Sequence, residues 1–386
     1  MKKRLLALML AGVFAFGMAS CGKDDETDTN EETTADTEEE AYALEYDVDD
    51  YVTLGQYKDL EVTLSGDYDY TDEAFDEYLA EVISDAAILT ADEDKTEVEE
   101  DSVVNVDYVG SQDGVAFDGG SAEDQDINIA NNSSASGSSY IEGFSEGLIG
   151  HKVGEEVAYE VTFPDDYGST DLAGETVTFT FQINYIAKYI ESVDDLTDDI
   201  VSDEYGYDTV DEFVEDHREY YKSTLESNYE SDLQTAVLQL VLNNSTVSEV
   251  PEELLDARVN MYIQVNDLQY QQYYGTTLQE YYEAMGEDYD EYLANIRDSI
   301  EESTETELIL EAIAKAEGLE VDEDGYKAFI QNVLTQTGAT DEADFYEAYT
   351  VDGYSGERYF REAYLTQKAV DVCTESAIVS IDKADE

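Results

Sequence analysis

DSVVNVDYVGSQDGVAFDGG (residues 101–120), SSYIEGFSEGLIGHKVGEE (138–156) and VTFPDDYGSTDLAGETVTFTFQINYI (161–186) are the stretches whose reading decides the fold. Short runs of Val, Ile, Phe, Tyr and Thr alternate with Gly-marked turns. That pattern predicts an antiparallel sheet. One short helical segment, Ile141 to Ile149, is expected to interrupt it.

Five ordered blocks within these stretches carry a resemblance. They are Val106-Asp107-Tyr108-Val109-Gly110, Phe117-Asp118-Gly119-Gly120, Ile141-Glu142-Gly143-Phe144, Gly150-His151-Lys152-Val153-Gly154-Glu155-Glu156 and Val161-Thr162-Phe163-Pro164. In this order they resemble the FKBP-type peptidyl-prolyl isomerase domain, in the version carried by the trigger factor family. The resemblance implies a pocket formed by Tyr108, Phe117, Asp118, Tyr140, Ile141, Phe144, Tyr167, Phe179 and Phe181. Phe144 takes a floor position often held by Trp. The phenol of Tyr167 is implied to donate to the substrate carbonyl, and Asp118 to orient the pocket or the twisted carbonyl rather than act as a nucleophile. Gln125 stands where the family usually has an aromatic residue. The turn Asn131 to Ser139 is longer than the family's and low in apolar residues, so both positions are expected to weaken the pocket wall.

The chain has 386 residues, too long for one small core. Its formal net charge is −78, from 18 basic and 96 acidic residues. Phosphate binding needs Lys and Arg, so nucleic acid is excluded as a partner, and docking on ribosomal RNA with it. Trp is absent and Tyr is abundant at 32; a tyrosine supplies apolar area while keeping a polar tip. The two cysteines are Cys21 and Cys373. If Cys21 is modified, no internal disulfide remains to be made.

Lys2, Lys3 and Arg4 precede an apolar run from Leu5 to Ala19. That run is short for a spanning helix, which needs roughly 20 residues, and it suits a secretory signal. Met18-Ala19-Ser20-Cys21 resembles a bacterial lipobox. It implies cleavage before Cys21, a diacylglyceryl anchor on that cysteine and a place on the extracytoplasmic face of the cell membrane. Between Gly22 and Asp50 lie fourteen acidic residues and one Lys. Such a segment buries too little apolar surface to offset its ordering entropy, so residues 21–50 are expected to be a disordered tether.

Residues 51–98 are expected to form an arm, a strand followed by a helix capped at Thr71 and carrying Phe75, Tyr78, Leu79, Val82 and Ile83. The isomerase domain would then occupy 99–190. Residues 191–386 read as helical. Thr209 opens one helix with a capping-box pattern, Pro251 opens a second, and a third runs from Tyr289 toward Ile313 with Gly318 as its stop. Further helices are expected around 326–334, 341–349 and 357–376. Val250-Pro251-Glu252-Glu253-Leu254-Leu255 and Leu310-Glu311-Ala312-Ile313-Ala314-Lys315-Ala316-Glu317-Gly318-Leu319-Glu320-Val321 resemble the trigger factor C-terminal chaperone domain. In that family the arm packs with the C-terminal domain, and the isomerase domain is inserted in a helical body. The expected fold class is therefore α+β. The family's Gly-Phe-Arg-x-Gly-Lys ribosome-docking loop does not occur in this sequence, so no ribosomal partner is expected.

The function these readings imply is a membrane-anchored foldase for exported proteins. It would act on unfolded chains with X-Pro bonds and need no cofactor. Two alternatives stand beside it: a holdase whose isomerase domain no longer catalyses, and a surface ligand-binding or adhesion lipoprotein. His151 and His217 read as structural. Glu320 to Gly325 resembles half an EF-hand, but Gln331 stands where a bidentate Glu is needed, so it reads as an acidic helix start.

Overall fold

The structure is a computed structural model and describes residues 44–382. The signal segment, Cys21 and most of the tether lie outside the described residues. The described residues divide into two compact units, one of residues 44–69 and 222–382, the other Tyr70–Tyr221.

The Tyr70–Tyr221 unit contains the sheet. Its strands are β3 (Leu89–Ala91), β4 (Val103–Gln112), β5 (Val115–Asn128), β6 (Ser133–Ser134), β7 (Glu156–Thr162) and β8 (Thr176–Tyr189). The path runs β3-β8-β4-β5-β6, and every pairing is antiparallel. β7 pairs with the first half of β8, while β3 pairs with its last residues. Alternation aims Val177, Phe179, Phe181 and Ile183 of β8 into one core. At Asn184 the register against β4 slips by one residue, which is why Ile186 rather than Tyr185 is the next fully buried side chain. The Asn184 amide donates to Oδ1 of Asn105 at 2.9 Å and of Asp107 at 3.1 Å, so the bulge is held by side chains.

The helix expected over Ile141–Ile149 does not form. A single 3₁₀ turn, Glu146–Leu148, stands there. Gly143 takes a φ of +80°, which ends any right-handed helix at that point.

The unit also holds α1 (Asp72–Asp85), α2 (Asp198–Tyr205) and the first residues of α3 (Val210–Asn244). Thr71 caps α1 by accepting from the Ala74 N–H at 3.1 Å. Phe75, Leu79 and Ile83 bury the stripe of α1 with Ile88, Ile190, Val201 and Phe213. These helices therefore correct the expected boundaries. Residues 70–98 of the arm, and 191–221 of the helical region, share a core inside the sheet-bearing unit, because that is where the apolar stripe of α1 finds partners.

The other unit is built from α4 (Glu252–Tyr274), α5 (Leu278–Met285), α6 (Tyr289–Glu317), α7 (Glu323–Thr337), α8 (Glu342–Ala348) and α9 (Gly356–Glu375), with the remainder of α3. β1 (Val52–Thr53) pairs with β9 (Thr246–Val247), and β2 (Glu61–Leu64) runs parallel to β10 (Ile378–Ile381). Asp322 caps α7 by accepting from the Gly325 N–H at 2.9 Å. The last residues expected in the tether are packed instead. Leu44 and Val48 are buried in this unit's core, the Tyr46 hydroxyl donates to Glu311 at 2.7 Å, and Lys315 pairs with Asp47 and Asp49. Three apolar side chains among the acids are enough to order these residues once α6 and α9 supply a surface.

Candidate active site

The aromatic residues drawn together from the separate sequence blocks form one continuous cluster. Tyr140 stacks on Phe144 with ring centroids 4.4 Å apart. Phe144 meets Phe179 edge-on at 4.9 Å, Phe181 at 5.2 Å and Tyr108 at 5.1 Å. Phe117 meets Phe179 at 6.0 Å and Phe163 at 6.1 Å, and Phe163 meets Tyr167 at 4.5 Å. Edge-to-face and offset pairs of this kind are the favoured geometries of aromatic rings.

The cluster has two layers. Phe144, Phe179 and Phe181 are buried, so they form the floor. Tyr108, Phe117, Tyr140 and Ile141 are half-buried against that floor, and Tyr167 is 38 % exposed at the edge. The upper layer is what a ligand can touch. Phe181 is fully covered, so its part is support, not contact.

Two glycines explain how Phe117 reaches the floor. A Cβ on Gly120 would sit 2.3 Å from the Phe117 ring, and one on Gly110 would sit 2.6 Å from it. The ring therefore lies flat over bare backbone of β4 and β5. The pairing of these strands is irregular here, passing from Val109↔Ser121 to Ser111↔Ala116. That bulge re-aims Phe117.

Asp118 follows Phe117 on β5. The residue is exposed, and among the described residues no donor lies within hydrogen-bonding distance of its carboxylate. Among the described residues it therefore holds no pocket side chain by a hydrogen bond. The Tyr167 hydroxyl, by contrast, is free of protein partners among the described residues and stands at the rim.

Gln125 is turned back on its own strand, its amide donating to the carbonyls of Glu123 at 2.9 Å and Asp124 at 3.2 Å. The wall position it holds has no ring. The Ser-rich turn does not plug the hollow. Ser133 and Ser134 pair with Asn128 and Ile127 on the edge of β5, and Ser136 to Ser139 are exposed; a side chain filling an apolar hollow would be buried.

Tyr159 and Phe163 are the residues that reading from blocks missed. Tyr159 stacks beneath Phe181 at 5.2 Å and donates its hydroxyl to the Phe144 carbonyl at 2.5 Å. It thereby fixes the backbone under the floor. The signal was present as alternation, since Val157, Tyr159 and Val161 face inward from β7 and Phe163 continues the alternation just beyond it. Burial raises the hydroxyl pKa values of Tyr108, Tyr140 and Tyr159, so all three stay neutral donors at physiological pH. His151 pairs with Glu155 at 2.9 Å, in the turn leading into β7. Among the described residues no group of three or more His, Cys, Asp or Glu is placed to hold a metal ion.

The cluster is aromatic and neutral, carries the phenols of Tyr108, Tyr140 and Tyr167 in its upper layer, and has no nucleophile or base at its floor. The family model described as FKBP-type peptidyl-prolyl cis-trans isomerase matches residues 94–186. The model described as bacterial trigger factor protein (TF) C-terminus matches residues 209–375. A trigger factor from Streptococcus mutans is 31 % identical over 330 residues, covering 85 % of this chain and 73 % of that protein. One from Streptococcus gordonii is 32 % identical, with the same two coverages. A trigger factor from Clostridioides difficile is 31 % identical over 283 residues, and the chain spans 63 % of its length. A solved structure titled "Promiscuous Substrate Recognition in Folding and Assembly Activities of the Trigger Factor Chaperone" is matched with a TM-score of 0.33 at 17 % identity, covering 84 % of this chain and 72 % of that one. The chain belongs to the trigger factor family.

Proposed function

We propose that this protein is a peptidyl-prolyl cis-trans isomerase and chaperone of exported polypeptides, held by a lipid on Cys21 at the extracytoplasmic face of the cell membrane. The observation that carries the enzymatic half is the two-layered aromatic cluster from Tyr140 through Phe144 and Phe179 to Phe117. Twisting an amide costs roughly 18–20 kcal/mol because resonance is lost. No bond needs to be made or broken; the site has to bind the twisted form more tightly than either planar one. A twisted prolyl amide carries less charge on oxygen and loses less on leaving water, so an aromatic hollow favours it. A thousandfold acceleration requires about 4 kcal/mol of such preference. Tyr167 then serves as the donor to the substrate carbonyl.

Membership of the family supports the chaperone half. The tyrosines at the end of α4 and on α5 add to it, with Tyr273, Tyr274 and Met285 exposed, because an unfolded client needs apolar surface to rest on. The signal-like run Leu5–Ala19 and Met18-Ala19-Ser20-Cys21 support the anchor.

A protease-coupled assay of proline exchange on the full chain tests the catalytic half. Acceleration by the wild type and its loss in Phe117→Ala is the expected result; equal rates would remove it. Labelling with a radioactive fatty acid, abolished in Cys21→Ser, tests the anchor. A holdase without catalysis is the second reading, and the ringless wall at Gln125 favours it. It requires suppressed aggregation of a model client with no effect on proline exchange.

A further inference from the structure

The turn that lengthens the loop before Tyr140 contains a side chain that reaches across the pocket wall. Asn132 sits at a φ of +47°, a backbone state that Asn tolerates better than most residues. Its amide nitrogen donates to the Ile141 carbonyl at 2.8 Å and to the Tyr140 carbonyl at 3.3 Å. Its amide oxygen accepts from the Ser145 N–H at 3.1 Å and from the Ser145 hydroxyl at 2.8 Å. Its own carbonyl accepts the Tyr140 N–H at 2.9 Å. Both ends of the amide are occupied, and the Ser145 N–H can only donate, so the orientation of the amide is settled.

The segment so held is the one from which Tyr140, Ile141 and Phe144 project. It has no regular helix to stiffen it, since Gly143 breaks the chain direction and only one 3₁₀ turn follows. Ser145 is fully buried, and its two bonds to Asn132 take up donors that would otherwise be stranded. We infer that Asn132 is a positioning residue for the isomerase site, a side-chain staple that replaces the missing helix and sets the Tyr140–Phe144 wall against Phe179. This rests on the isomerase reading above. It also reverses the expected effect of the inserted turn, which supports the wall instead of weakening it.

Two variants separate positioning from folding. Asn132→Gly keeps the backbone state and deletes the staple. Asn132→Asp keeps the acceptor for Ser145 and turns an oxygen toward the two carbonyls. In both, amide exchange of Phe144 and Ser145 should quicken at least about tenfold, while Val106 and Phe181 in the sheet keep their protection. For a proline peptide kcat/KM should fall several-fold, by no more than in Tyr140→Ala and chiefly through KM, because wall contacts are shared by ground and transition states. In a Tyr140→Ala background the same substitutions should cost less than about twofold, since the ring they position is gone. Unchanged exchange at Ser145, or an equal loss in the Tyr140→Ala background, would overturn the assignment. A wild type without turnover would remove the isomerase reading instead; amide exchange needs no turnover and would still decide whether Asn132 holds the wall.

Discussion

Tyr140 lies face to face with Phe144, 20° from parallel, yet the two rings live in different environments. Phe144 is 3 % exposed, with Phe179 and Phe181 against its other sides; Tyr140 is half-buried and covers it from outside. Truncation should therefore separate stability from activity. Phe144→Ala empties the floor and should cost about 3–5 kcal/mol, seen as a lower urea midpoint. Tyr140→Ala should leave the midpoint within about 1 kcal/mol of wild type and lower kcat/KM for a proline peptide several-fold. Equal losses of stability would show that Tyr140 is core, not wall.

Glycine at 110 and 120 is required by the ring of Phe117, and at 119 by the backbone. A Cβ at Gly110 meets Phe117 and Phe179, whereas at Gly119, with a φ of +79°, it meets nothing within 4 Å. Gly110→Ala and Gly120→Ala should each cost about 1–3 kcal/mol by overpacking and displace Phe117 from the floor, lowering turnover. Gly119→Ala should cost about 1–2 kcal/mol through its left-handed backbone alone and leave turnover as it was. Parallel melting curves and proline-exchange rates for the three variants check this.

Much of the site was legible because its parts are local. The pair Phe117-Gly120 falls within a single block and Tyr140-Phe144 within a single quoted stretch, where spacing and glycines suffice to read them. Tyr159 and Phe163 were readable by alternation along β7 and just beyond it. α5 was also readable, since Thr277 and Glu280 form a reciprocal capping box. Two things were not. Asn132 matters through a positive φ and bonds to residues eight to thirteen positions away, which composition does not encode. The packing of Leu44 and Val48 depends on α6 and α9, hundreds of residues downstream, so the acidic run around them hid it. The division of the arm at Tyr70 is likewise a matter of which core α1 finds.

Asp118 and Tyr167 differ in a way that a pair of conservative changes can read. Among the described residues the carboxylate of Asp118 is exposed without a partner, while Tyr167 contacts Phe163 at the rim. Asp118→Asn should change kcat/KM less than about twofold. Tyr167→Phe keeps the ring and loses only the donor, and one neutral hydrogen bond is worth about 0.5–1.5 kcal/mol, or roughly two- to tenfold in kcat. A larger effect at Asp118 than at Tyr167 would restore the carboxylate to the mechanism.

The other unit carries a pH dependence at Glu311. Its carboxylate accepts from Tyr46 and shares its surroundings with Glu362, Arg258 and Arg358; burial, opposed by the Tyr46 bond, pushes its pKa up to about 7. Arg258 is itself buried and pairs with Glu307 at 3.0 Å, and together with Arg358 it offsets only part of the cost of burying Glu311. Above about pH 7 the group is ionised in both folded and unfolded chains, and the folded state bears the cost of a buried charge. Below its ordinary value of 4.5 it is protonated in both. Between these limits the folded chain binds more protons than the unfolded one, so stability falls as pH rises, by on the order of 3 kcal/mol. General relief of acidic self-repulsion has the same sign, so the wild type alone does not isolate the residue. Glu311→Gln does, because its amide oxygen still accepts from Tyr46 and carries no charge. Urea unfolding at pH 5 should find the two proteins alike, and at pH 7.5 the Gln variant should be the more stable. Parallel stability curves across that range would mean that Glu311 ionises without penalty in the folded chain.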